Sequence, residues 1–209
     1  MLHVHIEKEL KYFQMKVNFD VNDGLAVLFG ESGAGKTTLL HMIAGLTSPD
    51  RGEIILNERA LYKQNKSNVK TQKRNVGYVF QDYALFPHMT VEKNLRYGIK
   101  KEEDLQQLRG ILETLGINHL LQEYPSTISG GEKQRVALAR ALASKPDALL
   151  MDEPFASLDE KNRQQCHEEI LRLKKEWNIP MILVTHDRKE AEKLGDQLFF
   201  LEKGQLIEG

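Results

Sequence analysis

The segment that decides the fold is Gly30-Glu31-Ser32-Gly33-Ala34-Gly35-Lys36-Thr37-Thr38. It fits G-x-x-x-x-G-K-[ST] at every fixed position, and it joins the apolar run 25–29 to a helical pattern that ends near Gly45. Glycines let such a loop turn tightly, so that its N–H groups point at phosphate oxygens, and the helix dipole favours an anion. Lys36 is placed to reach the β- and γ-phosphates, and the Thr37 hydroxyl to ligate Mg²⁺. The segment predicts a nucleoside-triphosphate site where a strand meets a helix.

Strand and helix patterns alternate around this loop. Residues 4–21 include apolar positions at a period of two, as a strand with one buried face requires. Further apolar runs lie at residues 54–56, 76–80, 148–151, 181–184 and 198–201. Helical patterns separate several of these runs, which predicts an α/β fold with a mostly parallel sheet. Polar residues 63–73 are interpreted as a solvated loop.

One long stretch, from about Asp82 to Ser144, has helical patterns and no strong strand run. These patterns cover residues 91–98, 102–115 and 131–143. We interpret the stretch as a helical insertion between two strands of the sheet. A later helical pattern from Glu160 includes Cys166 and Trp177, which predicts a helix buried on one face.

Composition excludes several classes of protein. The 209 residues include 29 Lys and Arg against 30 Asp and Glu, and this net charge of −1 argues against a protein that mainly coats nucleic acid. One cysteine cannot form an internal disulfide, which favours a reducing compartment. No run approaches the ~20 apolar residues of a membrane span, and the first residues do not resemble a signal peptide. We expect a soluble intracellular protein.

Candidate catalytic residues follow three later strand runs. The run 148–151 ends in Asp152 and Glu153, and adjacent strand residues point to opposite sides, so the two acids should differ in role. Asp152 can hold Mg²⁺, and Glu153 can orient and polarise the attacking water. Gln81 can complete the Mg²⁺ shell or contact that water, and His186 can bond the γ-phosphate. A polar residue of this kind, taken alone, would more often be only the end of a strand. The functional interpretation of these residues therefore depends on the presence of the phosphate loop.

A further motif, Ile128-Ser129-Gly130-Gly131-Glu132-Lys133-Gln134-Arg135, opens the helical pattern before the strand of Asp152. By itself it is a capping box, with Ser129 as N-cap and Glu132 at N3. Together with the phosphate loop and Ser157-Leu158-Asp159, it makes the chain resemble the nucleotide-binding subunit of an ABC transporter over essentially its whole length. The family's elements occur in order: Walker A, Q-loop (Gln81), signature, Walker B, D-loop and switch histidine (His186). Ile128 and Glu132 replace the commoner Leu and Gln conservatively.

The resemblance implies an α/β P-loop NTPase fold with a mostly parallel core sheet, an N-terminal antiparallel β part and a helical insertion. Residues 1–81 and 146–209 would form a RecA-like core, and about 82–145 the helical signature subdomain. We expect one ABC ATPase domain over residues 1–209, without a C-terminal regulatory domain.

The resemblance also implies a head-to-tail homodimer that binds ATP and Mg²⁺. The Walker A residues of one copy would face Ser129, Gly130, Gly131 and Glu132 of the other, and Asp159 joins these nucleotide-binding residues. Glu153, His186 and Gln81 would be catalytic, and Thr37, Gln81 and Asp152 would hold the metal. Integral-membrane permease subunits, and indirectly an extracellular solute-binding protein, would complete an importer at the cytoplasmic face of the prokaryotic cell membrane.

The segment around Gln81 narrows the subfamily. Residues 80–91 are similar to importer ATPases for oxyanions, sugars and polyamines, and residues 76–82 with 94–98 look most like molybdate importer subunits. We therefore expect an ATPase that energises oxyanion uptake, molybdate first. A sulfate, polyamine, iron or sugar importer remains the alternative, and then an ABC ATPase without a transporter. A small-molecule kinase shares only the phosphate loop.

The residue that stacks on adenine is not fixed by the sequence. Many relatives have an aromatic residue near the end of the first strand, where this chain has Leu10, with Tyr12 and Phe13 just beyond. Ordinary sheet packing is the favoured interpretation of both rings, because aromatic residues mostly contribute buried area. Selectivity for adenine therefore stays open.

Overall fold

The computed structural model describes residues 1–99 and 104–207. Its strands are β1 (Leu2–Glu9), β2 (Gln14–Val21), β3 (Gly24–Phe29), β4 (Arg51–Leu56), β5 (Arg59–Lys63), β6 (Ser67–Asn68), β7 (Val76–Val79), β8 (Ala148–Asp152), β9 (Pro180–Thr185), β10 (Gln197–Glu202) and β11 (Gln205–Ile207). Its α-helices are α1 (Lys36–Ala44), α2 (Val91–Arg96), α3 (Asp104–Thr114), α4 (Gly130–Ala143), α5 (Glu160–Glu176) and α6 (Arg188–Leu194).

The strands form one mixed sheet in the order β6-β5-β4-β1-β2-β11-β10-β3-β9-β8-β7. From β10 to β7 every neighbouring pair is parallel, whereas β1, β2, β4, β5 and β6 pair antiparallel with one another. Every residue of β8 and β9 is buried, as expected for parallel strands covered on both faces. In β2, buried and exposed residues alternate strictly. The predicted mostly parallel core sheet with an N-terminal antiparallel part is confirmed.

Two hydrophobic clusters cover the two faces of the sheet. Along β3, Leu25 and Val27 belong to one cluster, and Ala26 and Leu28 to the other. The first cluster includes residues of α2 to α6, and the second includes α1 and the N-terminal strands. This division follows from the period of two in a strand, which sends successive side chains to opposite faces. The phosphate-loop helix thus lies opposite the helices that follow β7.

The interpretation of residues 63–73 as a loop is wrong in part, because β6 lies within them and Thr71–Lys73 form a 3₁₀ turn. The cause is Arg74, which is 1% exposed. Its guanidinium donates to Asn68 Oδ1 and Val69 O on one side, and to Met42 O and Ile43 O at the end of α1 on the other. A buried cation at the carbonyl end of a helix satisfies acceptors that the helix leaves unpaired.

Between β7 and β8, the described residues contain helices and no strand. α4 packs against α2 and α3, and it also contacts β7 and α5. Of the predicted helix 102–115, the structure describes α3 as Asp104–Thr114, and Glu102 lies outside the described residues. α5 buries Cys166, Ile170 and Leu173, which confirms the predicted one-sided helix.

No described helix has the length and apolar character needed to cross a bilayer.

Candidate functional site

The phosphate loop connects β3 to α1. Gly35, the N-cap of α1, has φ 105° and provides no side-chain hydrogen bond to the first helical N–H groups. A Cβ at Gly35 would lie 2.5 Å from Met15 Cε, and one at Gly30 (φ 155°) would lie 2.2 Å from Leu201 O. Glycine is therefore required at both ends of the loop. The uncapped N-terminus of α1 can bind an anion, since its N–H groups and dipole both favour negative charge.

Lys36 lies inside the loop and is 5% exposed. Its Nζ donates hydrogen bonds to Gly30 O at 2.7 Å and to Glu31 O at 2.9 Å, so the loop backbone holds the ammonium in place. Burial lowers the pKa of Lys36, while Glu153 and then Asp152 oppose that shift. A phosphate would strengthen the charged form in the same way as these carboxylates.

Thr37 and Asp152 meet beside Lys36. The Thr37 hydroxyl donates to Asp152 Oδ1 at 3.1 Å, and the Tyr78 hydroxyl donates to Asp152 Oδ2 at 3.3 Å. Burial raises the pKa of Asp152, which is 4% exposed, and the two hydroxyl hydrogen bonds partly offset this shift. Burial also raises the pKa of Tyr78, followed by the charge of Asp152. Tyr78 therefore acts as a neutral donor that orients the carboxylate.

Glu153 and His186 form a second pair at the same edge of the sheet. Glu153 Oε2 lies 3.1 Å from His186 Nδ1, and the backbone N–H of Glu153 donates to Val184 O.

The prediction that Asp152 and Glu153 are neighbours on one strand is wrong in one detail. β8 ends at Asp152, and Glu153 has φ 43°. That turn, rather than strand alternation, separates the two acids.

A cavity of ≈ 410 Å³ opens above the phosphate loop. Glu153 lines it together with six of the predicted nucleotide-binding and metal residues, which are Ser32, Gly33, Gly35, Lys36, Thr37 and Thr38. Glu31 and Ala34 do not line the cavity; the Glu31 carbonyl accepts from Lys36, and the Ala34 carbonyl from the Gly204 N–H.

The far wall of this cavity is the turn between β1 and β2, with Leu10, Lys11, Tyr12 and Phe13. Tyr12 is 82% exposed, so sheet packing is the wrong interpretation of its ring. The ring lies in a bend beyond the end of β1, with Lys11 Nζ 5.0 Å from its centroid. Phe13 is half-buried and close to Gly35 and Gly204.

The signature residues lie at the start of α4, and the capping-box interpretation is confirmed. Ser129 Oγ accepts from the Glu132 N–H at 3.3 Å, and Glu132 Oε2 accepts from the Ser129 N–H at 2.8 Å. A Cβ at Gly131 would lie 2.9 Å from Asn162 Oδ1, and Asn162 donates to both carboxylate oxygens of Asp159, the N-cap of α5. The N-termini of α4 and α5 are therefore side by side. None of these residues lines the phosphate-loop cavity.

Gln81 follows β7 and is exposed. It does not line the cavity, and its side chain has no hydrogen bond to a residue within the described ranges. The structure thus brings Lys36, Thr37, Asp152, Glu153 and His186 to one edge of the sheet. It leaves Gln81 and the signature residues apart from them.

Two functional residues escaped the sequence reasoning. Tyr78 contacts Asp152 because β7 pairs parallel with β8, with Tyr78 opposite Leu150. The signal was present, since Leu150 and Asp152 share a strand face, but only the register places Tyr78 beside them. Glu190 is also a buried acid and shares a cavity with His186, but the short helix α6 has no sequence pattern that marks it.

Comparison with known proteins finds a matching family model and relatives that align over nearly the whole chain. The family model described as ABC transporter matches residues 15–156. The molybdenum import ATP-binding protein ModC of Haemophilus influenzae is 45% identical over 206 residues, which cover 98% of this chain and 58% of that protein. ModC of Pasteurella multocida is 44% identical over 208 residues, covering 99% and 59%. The chain thus spans less than two thirds of the length of these curated relatives.

Two solved structures are similar throughout. The ATP-binding cassette MJ0796, a dimer in a post-hydrolysis state bound to ADP and Pi, has a TM-score of 0.82 and 26% identity, with 100% of this chain and 97% of that chain covered. Clostridium perfringens cbiO1, described as part of the ABC transporter complex cbiONQ, has a TM-score of 0.86 and 26% identity, with 99% and 86% covered.

Proposed function

This chain belongs to the ABC transporter family, and we propose that it is the ATP-binding and ATP-hydrolysing subunit of an importer for an oxyanion, molybdate first. One observation carries the ATPase part: Lys36 and the uncapped start of α1 lie beside Asp152 and Glu153 at one edge of the sheet. The loop amides and Lys36 bind the triphosphate. Glu153, held by His186, accepts the proton of the attacking water.

Mg²⁺ fits the residues present. Thr37 and Asp152 offer a hydroxyl and a carboxylate, hard oxygen donors that this ion prefers, in contact with each other. The ion, when bound, supplies positive charge to the phosphate oxygens. Tyr78 keeps the Asp152 carboxylate in its orientation. Within the described ranges, no group of three or more His, Cys, Asp or Glu side chains could hold a metal by itself.

A second copy of the chain completes the site. Ser129 offers a hydroxyl at the N-terminus of α4, where a helix dipole favours an anion, but it does not line the cavity of Lys36. A head-to-tail dimer would bring Ser129, Gly130 and Gly131 of one copy to the nucleotide of the other, and Asp159 lies on the same face. The dimeric state of the MJ0796 cassette supports this arrangement. Gln81 is proposed to reach the site only in the closed assembly.

The permease would dock in a groove of ≈ 380 Å³ next to Gln81. Phe80, Phe86 and Tyr97 line this groove, and Tyr97 is 67% exposed. Arg140 also lines the groove and donates to Tyr83 O and Ala84 O, so α4 is tied to the segment after Gln81. An exposed aromatic groove of this kind fits an apolar helix of a membrane protein. The chain would then work at the cytoplasmic face of the cell membrane.

Molybdate is the proposed solute because molybdenum import proteins (ModC) from several bacteria are each 43% to 45% identical to this chain. The test is reconstitution with the permease and the solute-binding protein, with ATP turnover measured for molybdate, tungstate and sulfate. We expect stimulation by molybdate and tungstate. Stimulation by sulfate alone would overturn the assignment of molybdate as the solute. Absence of ATP turnover in every assembly would overturn the proposed ATPase function.

A further inference from the structure

The backbone on both sides of His186 is held by one side chain, that of Thr185. Thr185 is the last residue of β9 and is 3% exposed. Its hydroxyl donates to Glu190 Oε2 at 2.6 Å and accepts from the backbone N–H of Asp187 at 3.0 Å. The position of His186 between these two anchored residues therefore depends on the Thr185 hydroxyl.

Glu190 is the buried partner of that hydroxyl, with 9% of its side chain exposed. It lies in the first turn of α6, where a helix dipole favours a carboxylate. Its second oxygen, Oε1, faces α5, with Arg163 Nε at 3.7 Å and His167 Nε2 at 3.6 Å. Neither of these buried nitrogens has a hydrogen bond to a described residue. The carboxylate thus lies within ion-pair distance of both nitrogens, at a separation that gives electrostatic attraction rather than a direct hydrogen bond.

Arg163 extends this cluster to the segment 157–159. Its Nη2 donates to Leu158 O at 3.2 Å, directly before Asp159. A cavity of ≈ 70 Å³ is lined by both the cluster and the catalytic pair, since Arg163, Glu190 and Thr185 share it with Glu153 and His186. The buried acid is therefore adjacent to the reacting groups without lining the phosphate-loop cavity.

We propose that Glu190 is a positioning residue for ATP hydrolysis: through Thr185 it fixes the backbone that presents His186 to Glu153, and through Arg163 it links that backbone to segment 157–159. The proposal rests on the proposed ATPase function. A role in packing alone would not require a carboxylate, because an apolar side chain fills space without the cost of burying a charge.

The first experiment measures ATP turnover of Glu190→Ala and Thr185→Val in the whole protein. We expect kcat to fall roughly tenfold to hundredfold, because small misplacements of catalytic groups are costly. KM for ATP should stay within about twofold, since neither residue lines the nucleotide cavity. Thr185→Ser keeps the hydroxyl and should restore the rate. Glu192→Ala, on the exposed side of α6 and ion-paired with Arg188, is the matched control.

A second measurement separates positioning from loss of folding. In a His186→Ala background, Glu190→Ala should lower kcat no further, because residues that act as a unit are not additive. Independent additive losses, or an unchanged kcat in folded Glu190→Ala, would overturn the proposal.

Hydrogen exchange tests the same idea without turnover. The amide of Asp187 should exchange faster in Glu190→Ala and Thr185→Val than in wild type and Glu192→Ala. Unchanged exchange would overturn the positioning role even if the protein hydrolyses ATP. Faster exchange in a protein with no ATP turnover would leave the Glu190–Thr185 link in place and refute the ATPase function instead.

Discussion

At the scale of the residue, the backbone of Glu153 has an unusual conformation. Its φ of 43° is left-handed, a conformation that costs a non-glycine residue roughly 1–2 kcal/mol. The turn is held by the hydrogen bonds Glu153 N–H to Val184 O and Ala156 N–H to Glu153 O. It directs the carboxylate at His186 instead of into the sheet. Strain of this kind is typical of functional positions, and it supports Glu153 as the group that handles the attacking water.

Glu153→Gln should therefore keep ATP binding and lose turnover by at least about 10²-fold, because the amide cannot accept the proton. Lys36, Thr37 and the loop amides remain to bind the phosphates. An ATP-bound dimer should accumulate and be visible by size-exclusion chromatography. Glu168→Gln, at an exposed acid on α5, is the control and should behave as wild type. Unchanged turnover in Glu153→Gln would remove this residue as the base.

Tyr12 is the candidate residue for contact with the adenine base of ATP. Its ring is exposed at the rim of the phosphate-loop cavity, and stacking on a base is worth about 1–3 kcal/mol. Tyr12→Ala should raise KM for ATP about tenfold, while Tyr12→Phe should keep it. Tyr124→Ala, at an exposed tyrosine that does not line this cavity, is the control. An unchanged KM in Tyr12→Ala would show that the ring makes no stacking contact.

At the scale of the element, much of the site could be predicted, because the phosphate loop, Asp152 and His186 each follow an apolar run. The carboxyl ends of parallel strands share one edge, so residues after β3, β8 and β9 come together. What could not be predicted depends on register and on tertiary contacts. Tyr78 reaches Asp152 through the β7–β8 register, and the fold of residues 63–73 depends on buried Arg74 at the end of a distant helix.

The capping box of α4 gives an element-scale prediction about pH. Hydrogen bonds from the Ser129 side chain, and then from its backbone, lower the pKa of Glu132. A lowered folded pKa stabilises the fold above the unfolded pKa of about 4.3, and that contribution is lost as pH falls through the folded value. Glu132→Gln keeps the box but does not titrate. We expect its Tm to be about 1–3 °C below wild type at pH 7, with the difference vanishing in acid.

The measurement is thermal unfolding of both proteins across pH 7 to about pH 3, a range that includes the unfolded pKa of Glu. Ser129→Ala is the control background, because it removes the side-chain donor that contributes most to the lowered pKa. In that background the pH dependence of the Glu132→Gln difference should shrink. A Tm difference that is the same at every pH would contradict the capping-box origin.

At the scale of the whole molecule, the phosphate-loop cavity and the signature residues occupy separate places on the chain. The nucleotide cavity lies at the phosphate loop, and the paired N-termini of α4 and α5 lie apart from it. Each helix N-terminus is capped by its own side chain, Ser129 or Asp159, and the Asn162 side chain of α5 lies against Gly131 of α4. Because these N-termini do not line the phosphate-loop cavity, a two-fold dimer with two shared sites is the proposed active form.

A mixing experiment tests this sharing directly. Lys36→Ala disables the phosphate loop, and Ser129→Arg blocks the α4 N-terminus by bulk, so each variant alone should be inactive. A mixed dimer regains one intact site, formed by Lys36 of one copy and Ser129 of the other. Random pairing in an equal mixture makes half of the dimers mixed, so turnover should recover to about one quarter of wild type. Mixing Lys36→Ala with a Lys36→Ala, Ser129→Arg double variant is the matched control and should recover nothing. Failure of the first mixture to recover, with both chains folded and able to pair, would mean that each site is complete within one chain.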